Sequence, residues 1–220
     1  MFLQKFTKLY NYTFPEKVIG EIERRTYSPK DMILTTGEEI DGFYFLIEGK
    51  YYVSSLEITG KELLLRYSKV PSILGDIEVF EQCEVQSNCV AAQPCEFVFV
   101  PLHTYKNYLQ NDVHFAHLLL KELAYKLKTC TASSRVNALS PVSVRLAAYY
   151  CTVASGNSNS EYIFANSLDE VASLIGTTKR HLNRILKQWH DEGTINRQGE
   201  TIQFLNWHAI RSYSEGVRFE

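Results

Sequence analysis

The sequence predicts an α+β chain in which a β-rich first half, one long helix and a smaller helical last third follow one another. Three observations lead there. Between Ser28 and Pro101 short apolar runs alternate with turn residues. From Val113 to Cys130 apolar residues recur at alternating spacings of three and four. Beyond Ser140-Pro141, two amphipathic stretches join at a glycine and a hairpin pattern follows. A length of 220 residues suits about two domains of roughly 100–200 residues each.

Residues 13–26 read as an opening helix. Thr13 with Glu16 forms a capping-box pattern, and Val18, Ile19 and Ile22 make an apolar stripe. From Ser28 to Pro101 the runs are Phe43–Ile47, Tyr51–Val53, Leu63–Leu65 and Glu96–Val100. They are broken at Gly37, Glu48-Gly49, Thr59-Gly60, Pro71 and Gly75. Many short strands at such spacing predict a small antiparallel barrel or jelly roll.

A long helix begins near Asn111 or Asp112 and ends at Ser140-Pro141. Val113, Ala116, Leu120, Leu123, Leu127 and Cys130 form an a/d seam of the kind that packs two helices side by side. A helix packed only on its own domain would give the same spacing. Leu118 and Leu119 lie off the seam and are expected to face the barrel.

After this break, Val142–Tyr150 is helical and Ser155–Ser160 is a turn or loop. Ser167 to Glu170 is a second capping box, and Gly176 interrupts the helix it opens. Thr177 or Thr178 caps the next helix, which runs to about Glu192 with Leu182, Ile185, Leu186 and Trp189 on its buried stripe, and Gly193 stops it. Thr194–Leu205 turns at Gln198-Gly199, and Asn206 caps a last short helix. Helix, glycine turn, helix, hairpin is the winged helix-turn-helix pattern.

Composition sets the class of partner. Hydrophobic residues make up 45% of the chain and charged residues 22%, as in ordinary globular proteins. The net charge is −2, so attraction to nucleic acid requires local clustering. Lys179, Arg180, His181, Asn183, Arg184 and Lys187 supply it, with no acidic residue between Glu170 and Asp191. Arg and Lys reach guanine O6/N7, Asn pairs with adenine, and the hydroxyls of Thr177 and Thr178 hold phosphates. A solvated basic helix face, or a winged helix serving protein interaction, is the competing reading; steep salt dependence of DNA binding separates them.

Enzyme classes find little support. A metal-binding barrel enzyme needs His and Glu ligands inside the barrel, but no His lies between Ser28 and Leu102, and no GxSxG motif occurs. Five cysteines without CxxC spacing indicate a reducing compartment and no disulfide framework. Cys83, Cys89 and Cys95 recur every six residues, a period that suits small buried side chains as well as metal ligands. Neither a signal peptide nor a membrane-length apolar run is present. The expectation is a cytoplasmic, membrane-free, non-enzymatic protein without metal or other cofactor.

The segment Ser167 to Lys187 (SLDEVASLIGTTKRHLNRILK), followed by Asp191 to Ile195 (DEGTI), resembles the helix-turn-helix of the cyclic-AMP receptor protein/fumarate–nitrate regulator (Crp/Fnr) family. Gly37 to Gly49 (GEEIDGFYFLIEG) and Leu74 to Phe80 (LGDIEVF) resemble its cyclic-nucleotide-binding-like β-roll. Gly75 to Glu78 with Arg180 to Leu182 is similar to the YeiL-like branch. The resemblance spans nearly the whole chain: a β-roll sensor over 1–110, a dimerisation helix over 111–139 and a winged helix over 140–220. It implies a homodimer on double-stranded DNA with a palindromic operator, RNA polymerase as partner if the protein activates, and an unidentified small-molecule effector. It places base readout at Lys179, Arg180 and Arg184, and an effector pocket at Gly75, Asp76, Ile77, Gln86 and Ser87.

Two departures matter. The family's usual Arg-Glu is here Lys179-Arg180, and an Arg cannot accept the hydrogen bond that the Glu takes from cytosine. Members that bind cyclic AMP carry Arg followed by Ser or Thr about eleven residues after a Gly-Glu. Here the stretch is Gln86-Ser87-Asn88, and Asp76 replaces the Glu. Without a bidentate Arg an anionic phosphate loses its best partner, so cyclic AMP is not the expected effector. The family's iron–sulfur members have an N-terminal cysteine cluster, and this chain has no cysteine before Cys83.

Overall fold

The segments Phe43–Ile47 and Phe97–Val100 are buried on both faces, which explains why they read as unbroken apolar runs. The computed structural model describes residues 2–56, 62–153, 162–164, 168–198 and 201–216. The chain forms two compact units, Met1–Tyr125 and Lys126–Glu220.

The first unit contains α1 (Phe2–Tyr10), α2 (Glu16–Ile19), β1 (Glu23–Tyr27), β2 (Met32–Leu34), β3 (Gly42–Glu48), β4 (Lys50–Leu56), β5 (Glu62–Lys69), β6 (Ser72–Leu74), α3 (Asp76–Glu81), β7 (Asn88–Ala91) and β8 (Cys95–Pro101). A short helix, α4 (Leu102–Thr104), continues as a π-turn over Tyr105–Leu109, and α5 (Val113–Leu139) follows. The strands make two antiparallel sheets, ordered β1-β8-β3-β6 and β2-β7-β4-β5. This is the expected jelly-roll arrangement.

Alternation along β3 and β8 serves two cores. Tyr44, Leu46, Phe97 and Phe99 point between the sheets, where they meet Leu34, Tyr51 and Cys89. Phe43, Phe45, Val98 and Val100 point the other way, onto Phe6, Phe14, Phe115, Leu118 and Leu119. Each large side chain so buried contributes roughly 1.5–3 kcal/mol. Leu118 and Leu119 thus face the roll, as their place off the seam predicts.

The expected helix over 13–26 is a misreading. Only Glu16–Ile19 is helical, its N-cap is Pro15 with no side-chain cap bond, and Gly20 closes it. Glu23–Tyr27 is a strand paired with β8, from Glu23 opposite Phe99 to Tyr27 opposite Cys95. Val18 and Ile22 are both buried, but from different elements, and Ile19 is 43% exposed. Their helical spacing is a coincidence of a one-turn helix and the loop after it. The real first helix, α1, lies earlier. Phe6 stacks on Phe14 at 4.6 Å between ring centroids, and the Tyr10 hydroxyl lies 2.7 Å from the Leu46 carbonyl oxygen and 2.8 Å from that of Ser72.

Close backbone approach shapes the turn before α3. A Cβ on Gly42 would collide with the Val100 carbonyl oxygen, and one on Gly75, at φ +87°, with the Gly42 carbonyl oxygen. Three backbone segments pack there without an intervening side chain.

Helix α5 starts where Asp112 accepts from the backbone N–H groups of His114 (2.8 Å) and Phe115 (3.2 Å). The boundary between the two units falls inside it. Of the predicted seam, Val113, Leu120 and Leu127 are 77%, 63% and 70% exposed, Cys130 is exposed, and Ala116 and Leu123 are half-buried.

The second unit continues with α6 (Val142–Val153), β9 (Tyr162–Phe164), α7 (Leu168–Leu174), α8 (Lys179–Asp191), β10 (Ile195–Gln198), β11 (Thr201–Phe204) and α9 (Trp207–Tyr213). Its sheet order is β10-β11-β9, so a third strand joins the expected hairpin. The core gathers Leu146, Tyr150, Val171, Leu182, Leu186, Trp189, Phe204 and Ile210. Asn206 caps α9 by accepting from the Ala209 N–H at 3.0 Å. The turn at Thr59-Gly60, the Ser155–Ser160 loop, Ser167 of the second capping box and Gly199 of the hairpin turn lie outside the described residues.

Candidate nucleic-acid interface

Helix α8 is positioned by its two ends. Gly176 takes φ +64° and ends α7 in a Schellman arrangement, with Thr177 N–H on the Ala172 carbonyl (2.8 Å) and Gly176 N–H on that of Ser173 (3.1 Å). Arg145 of α6 fastens the same turn: one guanidinium nitrogen donates to the Ile175 carbonyl at 2.5 Å and lies 3.3 Å from that of Gly176. Sequence reasoning missed Arg145, because thirty residues separate it from the turn it holds. Thr178, in extended conformation, caps α8 by accepting the His181 N–H at 3.3 Å.

Leu182, Ile185, Leu186 and Trp189 bury one face of α8. Arg180, Arg184 and Lys187 recur on the other at i, i+4 and i+7, all exposed, and Thr178 and Lys179 are exposed beside them. Thr177, His181 and Asn183 are half-buried. The predicted residues therefore lie on α8 from Lys179 to Lys187 and in the turn that precedes it.

Their partners differ. Lys179 Nζ lies 2.6 Å from Asp169 Oδ2 of α7, an exposed ion pair. Arg184 Nη2 is 2.9 Å from His181 Nε2. Since Arg only donates, Nε2 is the acceptor in this contact. Asn183 Oδ1 accepts from Arg197 Nη1 of β10 at 2.8 Å, so the hairpin is tied to the helix by a residue the sequence did not single out. Arg180 and Lys187 meet no partner among the described residues.

The expected effector residues are dispersed around α3 and β7. Gly75 makes the left-handed turn, Asp76 is buried, and Ile77 is 47% exposed. Gln86 is exposed and its amide donates to the Glu84 carbonyl at 2.8 Å. Ser87 is half-buried. Cys89 and Cys95 are buried in the core between the sheets, Cys83 is half-buried, and Cys151 is buried in the second unit. Burial pushes the Cys95 thiol up, although it lies 3.2 Å from two carbonyl oxygens, those of Lys50 and Gln93. Among the described residues no three metal-ligating side chains cluster, and no helix is long and apolar enough to cross a membrane.

Comparison with known proteins agrees with this anatomy. The model of the cyclic nucleotide-binding domain matches residues 24–112, and that of the Crp-like helix-turn-helix domain matches residues 144–213. The cAMP-activated global transcriptional regulator CRP of Pasteurella multocida is 24% identical over 181 residues, which cover 80% of this chain and 87% of the relative. The cAMP-activated regulator Vfr of Pseudomonas aeruginosa is 20% identical over 195 residues, 85% of this chain and 91% of that one. A CRP-family transcriptional regulator of Thermus thermophilus has the same fold, with a TM-score of 0.76 at 19% identity over 89% of this chain and 98% of its own. The two domain matches, in family order and covering most of the sequence, make this chain a DNA-binding transcription regulator of the Crp/Fnr family.

Proposed function

We propose that this regulator acts as a homodimer on a two-fold-symmetric operator, with Arg180 and Arg184 reading bases and Lys187, Thr177 and Thr178 gripping phosphates. The observation that carries the reading is the Arg180–Arg184–Lys187 row, exposed opposite the buried face of α8. His181 sets the direction of Arg184, and Asn183 works through Arg197. Lys179 contributes after exchanging Asp169 for a phosphate, a trade between two exposed charge pairs of small individual value.

Residues 1–110 serve as sensor, 111–139 as dimerisation helix and 140–220 as reader. The exposed stripe Val113, Leu120 and Leu127 supports the dimer, because adjoining apolar seams remove such side chains from water. The protein works in the cytoplasm.

The relatives named above are cAMP-activated, and this chain is read differently. Gln86 stands where a charge partner for the cyclic phosphate is needed, and its amide is turned to its own backbone. A segment of Gly75, Asp76, Ile77, Gln86 and Ser87 still frames an effector site, for a ligand other than cyclic AMP.

The test is a salt series of binding to operator and random DNA, the operator first found by footprinting. Each phosphate contact adds about 0.9 to the slope of log K against log salt. A weak slope with no protected site would refute the reading.

A further inference from the structure

The glycine turn before α8 is closed by groups from outside the helix-turn-helix. The last carbonyls of α7, like those of any helix, need partners beyond the helix itself. Those of Ala172 and Ser173 accept from the backbone N–H groups of Thr177 (2.8 Å) and Gly176 (3.1 Å). The next three are taken by side chains. Asn137 Nδ2, in the last turn of α5, donates to the Leu174 carbonyl at 3.3 Å. Arg145 Nη1, near the start of α6, donates to that of Ile175 at 2.5 Å and lies 3.3 Å from that of Gly176. A guanidinium at a helix C-terminus also meets the negative end of the helix dipole.

Both side chains leave part of their bonding capacity unused. Asn137 Oδ1 and Arg145 Nε are buried with no hydrogen-bond partner among the described residues. Burial pushes the Arg145 guanidinium down from its ordinary range, and no acidic group offsets it among the described residues. Buried polar groups matched only in part add little to stability, but each bond they do make fixes a direction.

The corner that carries these residues is itself fixed. The Ser140 N–H donates to the Val136 carbonyl and the Arg145 N–H to that of Pro141, both at 3.0 Å. Val136 and Val142 pack against the core that holds Leu182, Leu186 and Trp189 of α8. The alternation of three and four from Val113 to Cys130, continued along α5, falls on Ser134 and Asn137. The stripe expected to pair two helices therefore runs into a residue that holds the turn. One bracket joins the end of α5 to the start of α8, which Thr178 caps two residues after Gly176.

We propose that Asn137 and Arg145 are positioning residues for DNA recognition. They fix the reading helix to the end of the dimerisation helix, and so set the half-site spacing that the regulator accepts, without touching DNA. The inference rests on the homodimer proposed above. Half-sites one helical turn apart are separated by roughly 34–36 Å, and each added base pair lengthens this by about 3.4 Å. A reading helix free to shift by that much would tolerate operators that a fixed one rejects.

The experiment uses the full-length protein with Asn137→Ala, Arg145→Met and Arg145→Lys. Competition titrations at low salt compare the footprinted operator, the same operator with one or two base pairs inserted at its centre, and a single half-site. Wild type should lose about ten-fold or more for the first insertion. Arg145→Met should bind the native operator about ten-fold more weakly and Asn137→Ala about three-fold, as the loss of one or two hydrogen bonds predicts. On the single half-site both should stay within about two-fold of wild type, and their penalty for an insertion should shrink. Arg145→Lys should restore part of the spacing preference, since an ammonium still reaches one carbonyl. Asn137→Ala, the milder change, decides the matter if Arg145→Met does not fold. Equal losses on operator and half-site would show a merely structural role, and an unchanged spacing preference would likewise overturn the inference. Sedimentation of wild type separates the failures. A dimer whose spacing preference ignores both residues sinks the bracket alone, whereas a monomer that binds half-site and operator equally sinks the homodimer.

Discussion

Arg180 and Lys187 reach solvent without a partner among the described residues, whereas Arg184, Lys179 and Asn183 each carry a bond within the protein. This difference sets the expected mutational ranking. Arg180→Ala and Arg184→Ala should each weaken the operator by about 1–3 kcal/mol and relax its sequence preference, while Lys187→Ala should weaken all DNA alike and lower the salt slope by about one. Competition titrations against random DNA check this, and equal losses on both DNAs for all three variants would remove the division of roles. The basic cluster was legible because its charges lie within nine residues of one amphipathic helix. Arg197 was not, because only the hairpin register brings it back to Asn183 from fourteen residues further on. Distance along the chain says nothing about which face of a sheet a side chain joins.

At the level of elements, strands and long helices followed from periodicity, and short pieces did not. The four-residue α2 and the six-residue α3 are too brief to show a stripe, and β9 is a three-residue partner added by the sheet. Helix α1 was overlooked although Phe2, Leu3, Phe6 and Tyr10 fit a helical face, because the capping-box pattern at Thr13 drew the helix start too late. The cap that does matter is Asp112, which holds the start of α5 and accepts the Tyr12 hydroxyl at 2.6 Å. Asp112→Ala should cost about 1 kcal/mol in urea denaturation at neutral pH. Burial raises the Asp112 carboxyl, but the Tyr12 hydroxyl and the backbone N–H groups of Phe115 and His114 lower it further, and the net shift is downward. A lowered folded value means stability present above the ordinary carboxylate range and lost as pH falls through the folded value, so the difference between variant and wild type should shrink below about pH 4. A constant difference would mean that the charge of Asp112 contributes nothing. Along the same helix, Leu127→Asp should convert the proposed dimer to monomers in sedimentation velocity. A dimer that survives it places the interface elsewhere.

For the molecule as a whole, a net charge of −2 coexists with a basic helix face because the four cations between Lys179 and Lys187 are offset elsewhere in residues 140–220, where four basic residues stand against eight acidic ones. The order of parts was legible from texture alone, since period-two runs, a three-four seam and a glycine-joined helix pair each obey a different geometry. Effector chemistry was not legible, because it depends on which side chains the two sheets turn toward each other. Cyclic AMP and cyclic GMP should leave DNA affinity unchanged, and calorimetry should detect no binding tighter than about 10 μM. Tight binding of either would mean that backbone amides near Gly75 replace the missing arginine.

The interlocked glycines carry a lesson for anyone who screens this protein. Gly42 and Gly75 leave no room for even a methyl group, and Gly49, at φ +97°, would drive one into the Pro94 carbonyl. In a saturation library selected for promoter activity, these three should score as intolerant as Arg180, although none lies near the reading helix in sequence or belongs to its unit. Activity scores alone would therefore invite a false map of the DNA contact. Counting soluble protein for each clone separates the two classes: the glycine variants should disappear from the soluble fraction, and Arg180 variants should stay in it. Such glycines also evolve under a joint constraint, since Gly75 can gain a side chain only after the strand bearing Gly42 has moved.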